Sequence, residues 1–408
     1  MPKGSPNFVA VNEHYSLTQK DMLVESKQVA IIGGGPGGLT LATLLQKKGV
    51  AVTVYERDGD RTKRMQGGTL DLHTESGLAA LAKAGLLDAF KANYRPGADK
   101  VRVVDKQTHI LDDDHTKNVT TTFGDDYHRP EIDRGALRAI LLDSLQPNTV
   151  VWDSHVISLE SVGNRWKLLF QNGTTSVADL IIGADGANSK IRSFVTPIKP
   201  VYCGVTIVEG QVYDSARNAP QIHALLKGGK IMALGDSKTI TISAKGDGSL
   251  DFYTGWKAAA NWAKDSGIDF NDSQQVQAWF KSKYADWDTL WLELVEGASL
   301  PLIARPQYCM PLDQSWEAQS NITVIGDAAH VMPPYAGEGV NMAMLDALEL
   351  SESLTSDQFV DIKLANAHYE KQMFVRFAEI GQETLDNTDW MHSPGGLEKL
   401  VNLFNPTE

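Results

Sequence analysis

One turn constrains this chain more than any other feature in it. Gly33-Gly34-Gly35-Pro36-Gly37-Gly38 fits G-x-G-x-x-G and lies between an apolar run, Val29-Ala30-Ile31-Ile32, and a helix-like segment from Leu39 to Lys48. In that segment Leu41, Leu44 and Leu45 share one face, Gly49 closes it as a C-terminal cap, and Val50 to Tyr55 is a second apolar strand. Strand, glycine turn, helix and strand make a βαβ unit, which demands a parallel sheet. In such a turn Gly33 supplies the tight bend, Gly35 the close backbone approach to a pyrophosphate, and Gly38 the close contact of helix with strand. The helix start then turns free N–H groups and a positive dipole end toward that anion. Glu56 ends the next strand, eighteen residues past Gly38, where a carboxylate accepts both hydroxyls of a ribose. No Lys-Ser or Lys-Thr follows the glycines, which excludes a P-loop. NAD(P) and FAD satisfy these residues equally well, so distal segments must separate them.

Composition narrows the partners. A chain of 408 residues allows two or three domains. Its 42% hydrophobic and 22% charged residues exclude collagen-like, disordered and disulfide-scaffold classes. A net charge of −13, from 38 basic and 51 acidic residues, argues against a nucleic-acid groove or an anionic membrane surface. Cys203 and Cys309 allow at most one bridge and fit a reducing compartment. No apolar run approaches the ~18 residues of a membrane span, and residues 1–26 lack the pattern of a secretory signal. A cytoplasmic monomer of enzyme size is expected.

Further along, Pro130 to Leu145 reads as a helix, with Leu137, Ile140, Leu141 and Leu145 at helical spacing. Val150–Leu159 and Trp166–Phe170 read as strands, Asn172-Gly173 as a hairpin turn, and Asp179 to Ile182 as another buried strand. Beyond Pro200 the segments Val205–Tyr213, Lys230–Leu234, Thr239–Ser243 and Leu250–Thr254 alternate between Gly, Asp and Asn turns. That is the pattern of an antiparallel sheet with one face open to a ligand. Six of the nine tryptophans fall between Trp256 and Trp316; helix packing on this sheet is the main reading and an aromatic wall for a flat substrate its rival. Ile322–Ile325 returns to the buried-strand type, and Leu345–Leu354 and Asp361 to about Thr384 are helical.

Two distal segments separate the dinucleotides. Asp179-Leu-Ile-Ile-Gly-Ala-Asp185-Gly186, running on to Arg192, is a strand ending in Asp-Gly and then a basic helix start. Gly326-Asp327-Ala328-Ala329-His330, with Pro333-Pro334 and Gly337-Glu338-Gly339-Val340-Asn341, is a strand, a tight turn and a new helix N-terminus. A plain dehydrogenase uses neither. With the glycine turn they resemble the three FAD motifs of the flavoprotein aromatic hydroxylases, the para-hydroxybenzoate hydroxylase class, over roughly residues 27–350. Val54-Tyr55-Glu56-Arg57-Asp58, Gly67-Gly68-Thr69-Leu70-Asp71-Leu72-His73 and Pro130-Glu131-Ile132 with Arg134 are most similar, within that class, to the tetracycline-inactivating flavin monooxygenases.

The resemblance implies an α/β chain with a Rossmann-like FAD-binding domain (27–85, 110–195 and 296–350) and a β-sheet substrate domain (86–109 and 196–295). A polar tail (1–26) precedes them, and a C-terminal helical segment (351–408) bridges them. It implies FAD as cofactor, NADPH as co-substrate, and a small molecule and O₂ as the other reactants. Glu56 and Arg57 then sit at the adenosine end, and Arg64 at the NADPH contact. Asp71, Arg134 and Asp327 contact FAD, the last through the ribityl chain. Gly33, Gly35, Gly38, Asp185, Gly339 and Asn341 complete the cofactor set. Arg134 and Arg138, at i and i+4, have a solvated helix face as their alternative. The implied activity is hydroxylation of an electron-rich cyclic or polyketide-like molecule, tetracyclines included, through a flavin C4a-hydroperoxide. In that chemistry the cofactor makes the bonds while the protein orients the substrate and excludes water, so no general base is nominated.

Departures from the family pattern matter as much. The tetracycline enzymes line their cleft with Gln, Arg and His at intervals of twenty-one residues, where a gapless placement puts Glu209, Lys230 and Asp251. Lys lacks the planar fork of Arg, and two carboxylates favour a more cationic substrate or another ring system. Glu338 stands where the family usually has Gln, at a helix start expected to face the N1–C2=O edge of the flavin. A carboxylate there opposes the charge of the reduced ring. His109, His115 and His128 lack a metal-ligand spacing with a carboxylate partner and read as loop positions, and His330 reads as a packed capping residue. The rival functions are a flavin enzyme that does not hydroxylate, such as a halogenase or reductase, and an FAD-binding redox sensor. Trp287 and Trp291 have the wrong spacing for a halogenase signature.

Overall fold

A computed structural model describes residues 22–63, 67–117, 122–125 and 128–405. Val29–Ile32 is buried at all four positions and lies at the centre of a five-stranded sheet. The order is Ile322–Val324, Leu180–Gly183, Val29–Ile32, Val52–Tyr55 and Val150–Val151, every pair parallel. Short continuous apolar runs suit this position because helices cover both faces of such a sheet. Gly33 leaves the first strand at φ +111°, and a Cβ there would lie 2.2 Å from the Ala184 carbonyl oxygen. Only glycine makes this turn. The helix Pro36–Lys47 follows, burying Leu39, Leu41 and Leu45.

A second sheet of seven strands runs in the order Ser299–Cys309, Val201–Val212, Leu250–Lys257, Lys238–Ala244, Lys230–Gly235, Val101–Asp105 and Ile110–Asp113. The Lys230–Gly235 and Val101–Asp105 strands are parallel and the other pairs antiparallel. Side chains alternate with period two. Val208, Val212, Ile231, Ile240, Ile242 and Phe252 point into a core shared with Trp256, Trp279, Trp287 and Trp291. The opposite face carries Ile207, Lys230, Met232, Thr241, Ser243 and Tyr253 toward a cavity. The tryptophans therefore pack the core. Trp262 stacks edge-on against Trp256 at 4.7 Å, and Trp316 sits elsewhere, edge-on to Phe374 at 4.5 Å. No tryptophan lines the cavity, so the aromatic-wall reading falls.

Other elements differ from the sequence reading in their bounds, and Val101–Asp105, Ile110–Asp113 and Ser299–Cys309 are strands it did not contain. The helix expected from Pro130 begins at Arg134, because Glu131–Asp133 pairs as a strand with Thr69–Asp71. Ile110–Asp113 and Ser299–Cys309 hydrogen-bond into the second sheet, so boundaries at 109/110 and 295/296 would cut through it. Backbone pairing decides this, since each strand must satisfy its N–H and C=O groups somewhere. Gly339–Thr355 packs on Pro36–Lys47 so closely that a Cβ on Gly37 would lie 2.9 Å from the Ala343 carbonyl oxygen. Ile362–Met391 packs on that helix in turn, and Gly396–Phe404 docks on the second sheet with Leu400 beside Val103 and Leu234. These last helices join the two sheets. Among the described residues no helix is long and apolar enough to cross a membrane.

Candidate functional site

The strands of the parallel sheet end at one edge, and there a cavity of about 1190 Å³ opens. Gly33, Glu56, Asp185 and Asp327 follow four of those strand ends, the position where open α/β sheets bind ligands. From this edge the cavity runs on to the open face of the second sheet. Met391 and Phe404, from the C-terminal helices, close its far side.

Gly33, Gly35, Gly38, Glu56, Arg57, Asp71, Arg134, Asp185, Asp327 and Gly339 all line this space. Gly38 touches its own turn, since a Cβ there would lie 2.2 Å from the Gly33 carbonyl oxygen, whereas Gly35 faces open space. Glu56 is buried, accepting the N–H of Gly34 at 2.6 Å and of Asp58 at 3.0 Å. Arg134 opens the helix Arg134–Asp143, and its Nε is buried with no hydrogen-bond partner. Arg138 is not on a solvated face: it is buried and pairs with Asp58 at 3.1 Å. Asp327 is surrounded by protein yet exposed to the cavity; removal from bulk water raises its pKa against the pull of His330, Arg134 and Arg192. Asp185 accepts from Ser189 Oγ at 2.5 Å and the Lys190 N–H at 2.7 Å, so its carboxylate builds the turn after its strand. Arg192 is a strut, donating to the carbonyls of Asp327 and Ala328 at 2.6 and 2.7 Å.

One nominated residue stands apart. Asn341 does not line the cavity: it is fully buried, donates to the Asp71 carbonyl at 3.0 Å and accepts the His73 N–H at 3.0 Å. Its amide matches backbone groups of a neighbouring strand end, which leaves it no reach to a ligand. Arg64 lies outside the described residues.

His73 was missed. Its Nε2 lies 3.1 Å from Asp71 Oδ2 and its Nδ1 lies 3.0 Å from Glu338 Oε1. Burial works against its charge, but the two carboxylates outweigh burial and lift its pKa to about 9. Burial likewise opposes ionisation of Asp71, yet His73 and Lys230 hold its carboxyl below the ordinary range. Two sequence signals bear on this cluster: Asp71 and His73 are two residues apart at a strand end, and Glu338 departs from the family's Gln. Asp346 plays the matching part behind the second turn. It accepts from the Gly326 N–H at 2.8 Å, His330 Nε2 at 2.6 Å and Arg376 at 2.6 Å, and these offset its burial and bring its pKa down to about 2.

The nominated substrate residues separate. Lys230 lines the cavity and contacts Glu131, a buried carboxylate that sequence reasoning did not single out. Burial pushes the Glu131 carboxyl up, while Glu131 and Asp71 together keep Lys230 protonated against burial. Glu209 shares the cavity-side face of the sheet but pairs with Arg305 on the next strand at 2.5 Å, outside the lining. Asp251 is also outside it; Lys245 covers it at 3.5 Å, and burial raises its pKa to about 6. The three do not form one cleft. A gapless placement finds their strands but cannot show which side chains cover them.

The donor set suits FAD. A turn that tolerates no Cβ, open space at Gly35, an arginine whose buried Nε has no partner and an acidic side chain exposed at the cavity are what a pyrophosphate and a polyhydroxylated chain require. The known proteins agree. The FAD binding domain family matches residues 26–232 and 312–357. Monooxygenase asqM of Emericella nidulans is 29% identical, over 80% of this chain and 83% of that one. Monooxygenase penA of Penicillium thymicola is 27% identical, over 92% and 98%. The crystal structure of the tetracycline destructase Tet(51) shares the fold at TM-score 0.62 and 18% identity, covering 92% of this chain and 95% of that one. With more than half its length matched, the chain belongs to the FAD binding domain family of flavin monooxygenases.

Proposed function

We propose that the protein uses NAD(P)H and O₂ to hydroxylate an electron-rich cyclic or polyketide-like small molecule held against the open face of the second sheet. One observation carries this reading: a single cavity joins the glycine turn to that face. When bound, FAD supplies the reduction and oxygen-transfer chemistry. The uncapped start of Pro36–Lys47 offers free N–H groups to the pyrophosphate, and Glu56 faces the ribose. Arg134 and Asp327 hold the middle of the cofactor, and the start of Gly339–Thr355 offers a second set of free N–H groups.

Ile207, Met232, Thr241 and Tyr253 give the substrate a mostly apolar wall. Lys230, kept protonated by Glu131 and Asp71, donates to a carbonyl or phenolate edge. Met391 and Phe404 keep water out. Tetracyclines fit this class through their ionised tricarbonyl edge. Glu209 and Asp251 lie outside the cavity, so neither of those two carboxylates opposes that edge. The experiment is purification with FAD, then NADPH oxidation and oxygen uptake against phenols, indoles and tetracyclines. Substrate-dependent consumption with an oxygenated product is expected. NADPH oxidation that no substrate accelerates would leave a reductase or sensor as the better reading.

A further inference from the structure

Both ring nitrogens of His73 face carboxylates, Asp71 at 3.1 Å and Glu338 at 3.0 Å. A neutral imidazole carries one N–H and would turn a lone pair on one of them, so this geometry calls for the imidazolium. The backbone around the ring is fixed too. Asn341, two residues into the helix Gly339–Thr355, accepts the His73 N–H and donates to the Asp71 carbonyl. Strand end and helix start are thereby bolted together. Asp71 faces the cavity, and a Cβ on Gly337 would lie 3.8 Å from its Oδ2, so its carboxylate stands at the mouth of that helix. The other charged groups near Asp71 are Lys230 and Glu131.

We infer that His73 is a positioning residue of the flavin site: clamped between Asp71 and Glu338, it fixes the direction and charge of Asp71, and Glu338 keeps the clamp protonated through neutral pH. With the imidazolium, Asp71, His73 and Glu338 sum to one negative charge at the helix start; without its proton they sum to two. A Gln at 338 would remove one acceptor and one charge, and the proton would leave more readily. Glu338 thus makes the charge facing the cofactor insensitive to pH where Gln would not.

The inference rests on the cavity being the FAD site, which flavin content at purification tests separately. The holoprotein is titrated while two signals are followed: the visible flavin band, and the His73 ring-proton resonance identified by its loss in His73→Asn. In the wild type both are expected to move together above pH 8. In Glu338→Gln both midpoints should fall together by about one pH unit or more, and in His73→Asn the flavin step should vanish. A flavin band that stays still while His73 titrates would overturn the inference. So would a midpoint unmoved in Glu338→Gln. If Glu338→Gln fails to hold flavin, the wild-type titration, with the resonance assigned through His73→Asn, decides the matter.

Discussion

Gly33 and Gly35 stand two residues apart in one turn and answer to different constraints. Gly33 has φ +111° and the Ala184 carbonyl against its missing Cβ, so its demand is internal to the protein. Gly35 has open space where a Cβ would go, so its demand comes only from what enters the cavity. Gly33→Ala should therefore lower the stability of the flavin-free protein by ~2 kcal/mol or more. Gly35→Ala should leave the flavin-free melting temperature nearly unchanged yet weaken FAD about tenfold or more, as read by dialysis and absorbance. Equal melting losses in both would dissolve the distinction. Glu56 mixes the two roles. Because it already accepts two backbone N–H groups, Glu56→Ala should cost ~1–3 kcal/mol without flavin as well as weakening FAD. Glu56→Gln retains an acceptor and should lose less of both. Full flavin retention in Glu56→Ala would remove it from the site.

At the scale of elements, local pattern and distant contact divide what the sequence could tell. The βαβ unit was legible because strand, turn and helix are neighbours in the chain, and Gly33, Gly35 and Gly38 sit where the motif needs them. The helix Ile362–Met391 was legible as a helix, but its inner face was not. Glu370 reads as an ordinary surface carboxylate, yet it is 1% exposed and accepts from Thr323 Oγ1 at 2.7 Å, 47 residues away. Burial pushes its pKa from 4.5 to about 7, against Thr323 and Trp316. The folded protein then holds a proton that the unfolded chain has released, so stability falls as pH rises between these values and is flat beyond the upper one. Glu370→Gln, which carries no charge to bury, should match the wild type near pH 4. Near pH 8 it should exceed it by on the order of 2 kcal/mol in urea unfolding. A difference that does not change with pH would mean the carboxyl is ionised in the folded state.

For the whole molecule, the joint between the second sheet and the paired strands Thr69–Asp71 and Glu131–Asp133 is where substrate binding and stability meet. Lys230 reaches from the second sheet to Glu131 across a sequence separation of 99, and Tyr253 Oη accepts the Gly68 N–H at 3.0 Å across 185. Neither contact is written in a local pattern. That is why the sequence supplied Lys230 without its partner and grouped it with Glu209 and Asp251, which lie near each other and pair with Arg305 and Lys245 instead. Removing Lys230 has two consequences that separate experimentally. Lys230→Met leaves Glu131 buried without its cation, so Glu131 takes up a proton and stability near pH 8 should drop by about 3 kcal/mol. Adding Glu131→Gln should restore most of that loss. It should not restore turnover. Lys230→Met, alone or in the double variant, should lower kcat/KM for the best substrate at least about tenfold, ~1.4 kcal/mol of transition-state binding, because the donor to the substrate's polar edge is gone. Glu209→Gln and Asp251→Asn should change kcat/KM by no more than about twofold, since Arg305 and Lys245 hold those carboxylates outside the cavity. If either carboxylate variant instead loses as much turnover as Lys230→Met, all three side chains share the substrate and Lys230 is not its sole charged contact on this sheet.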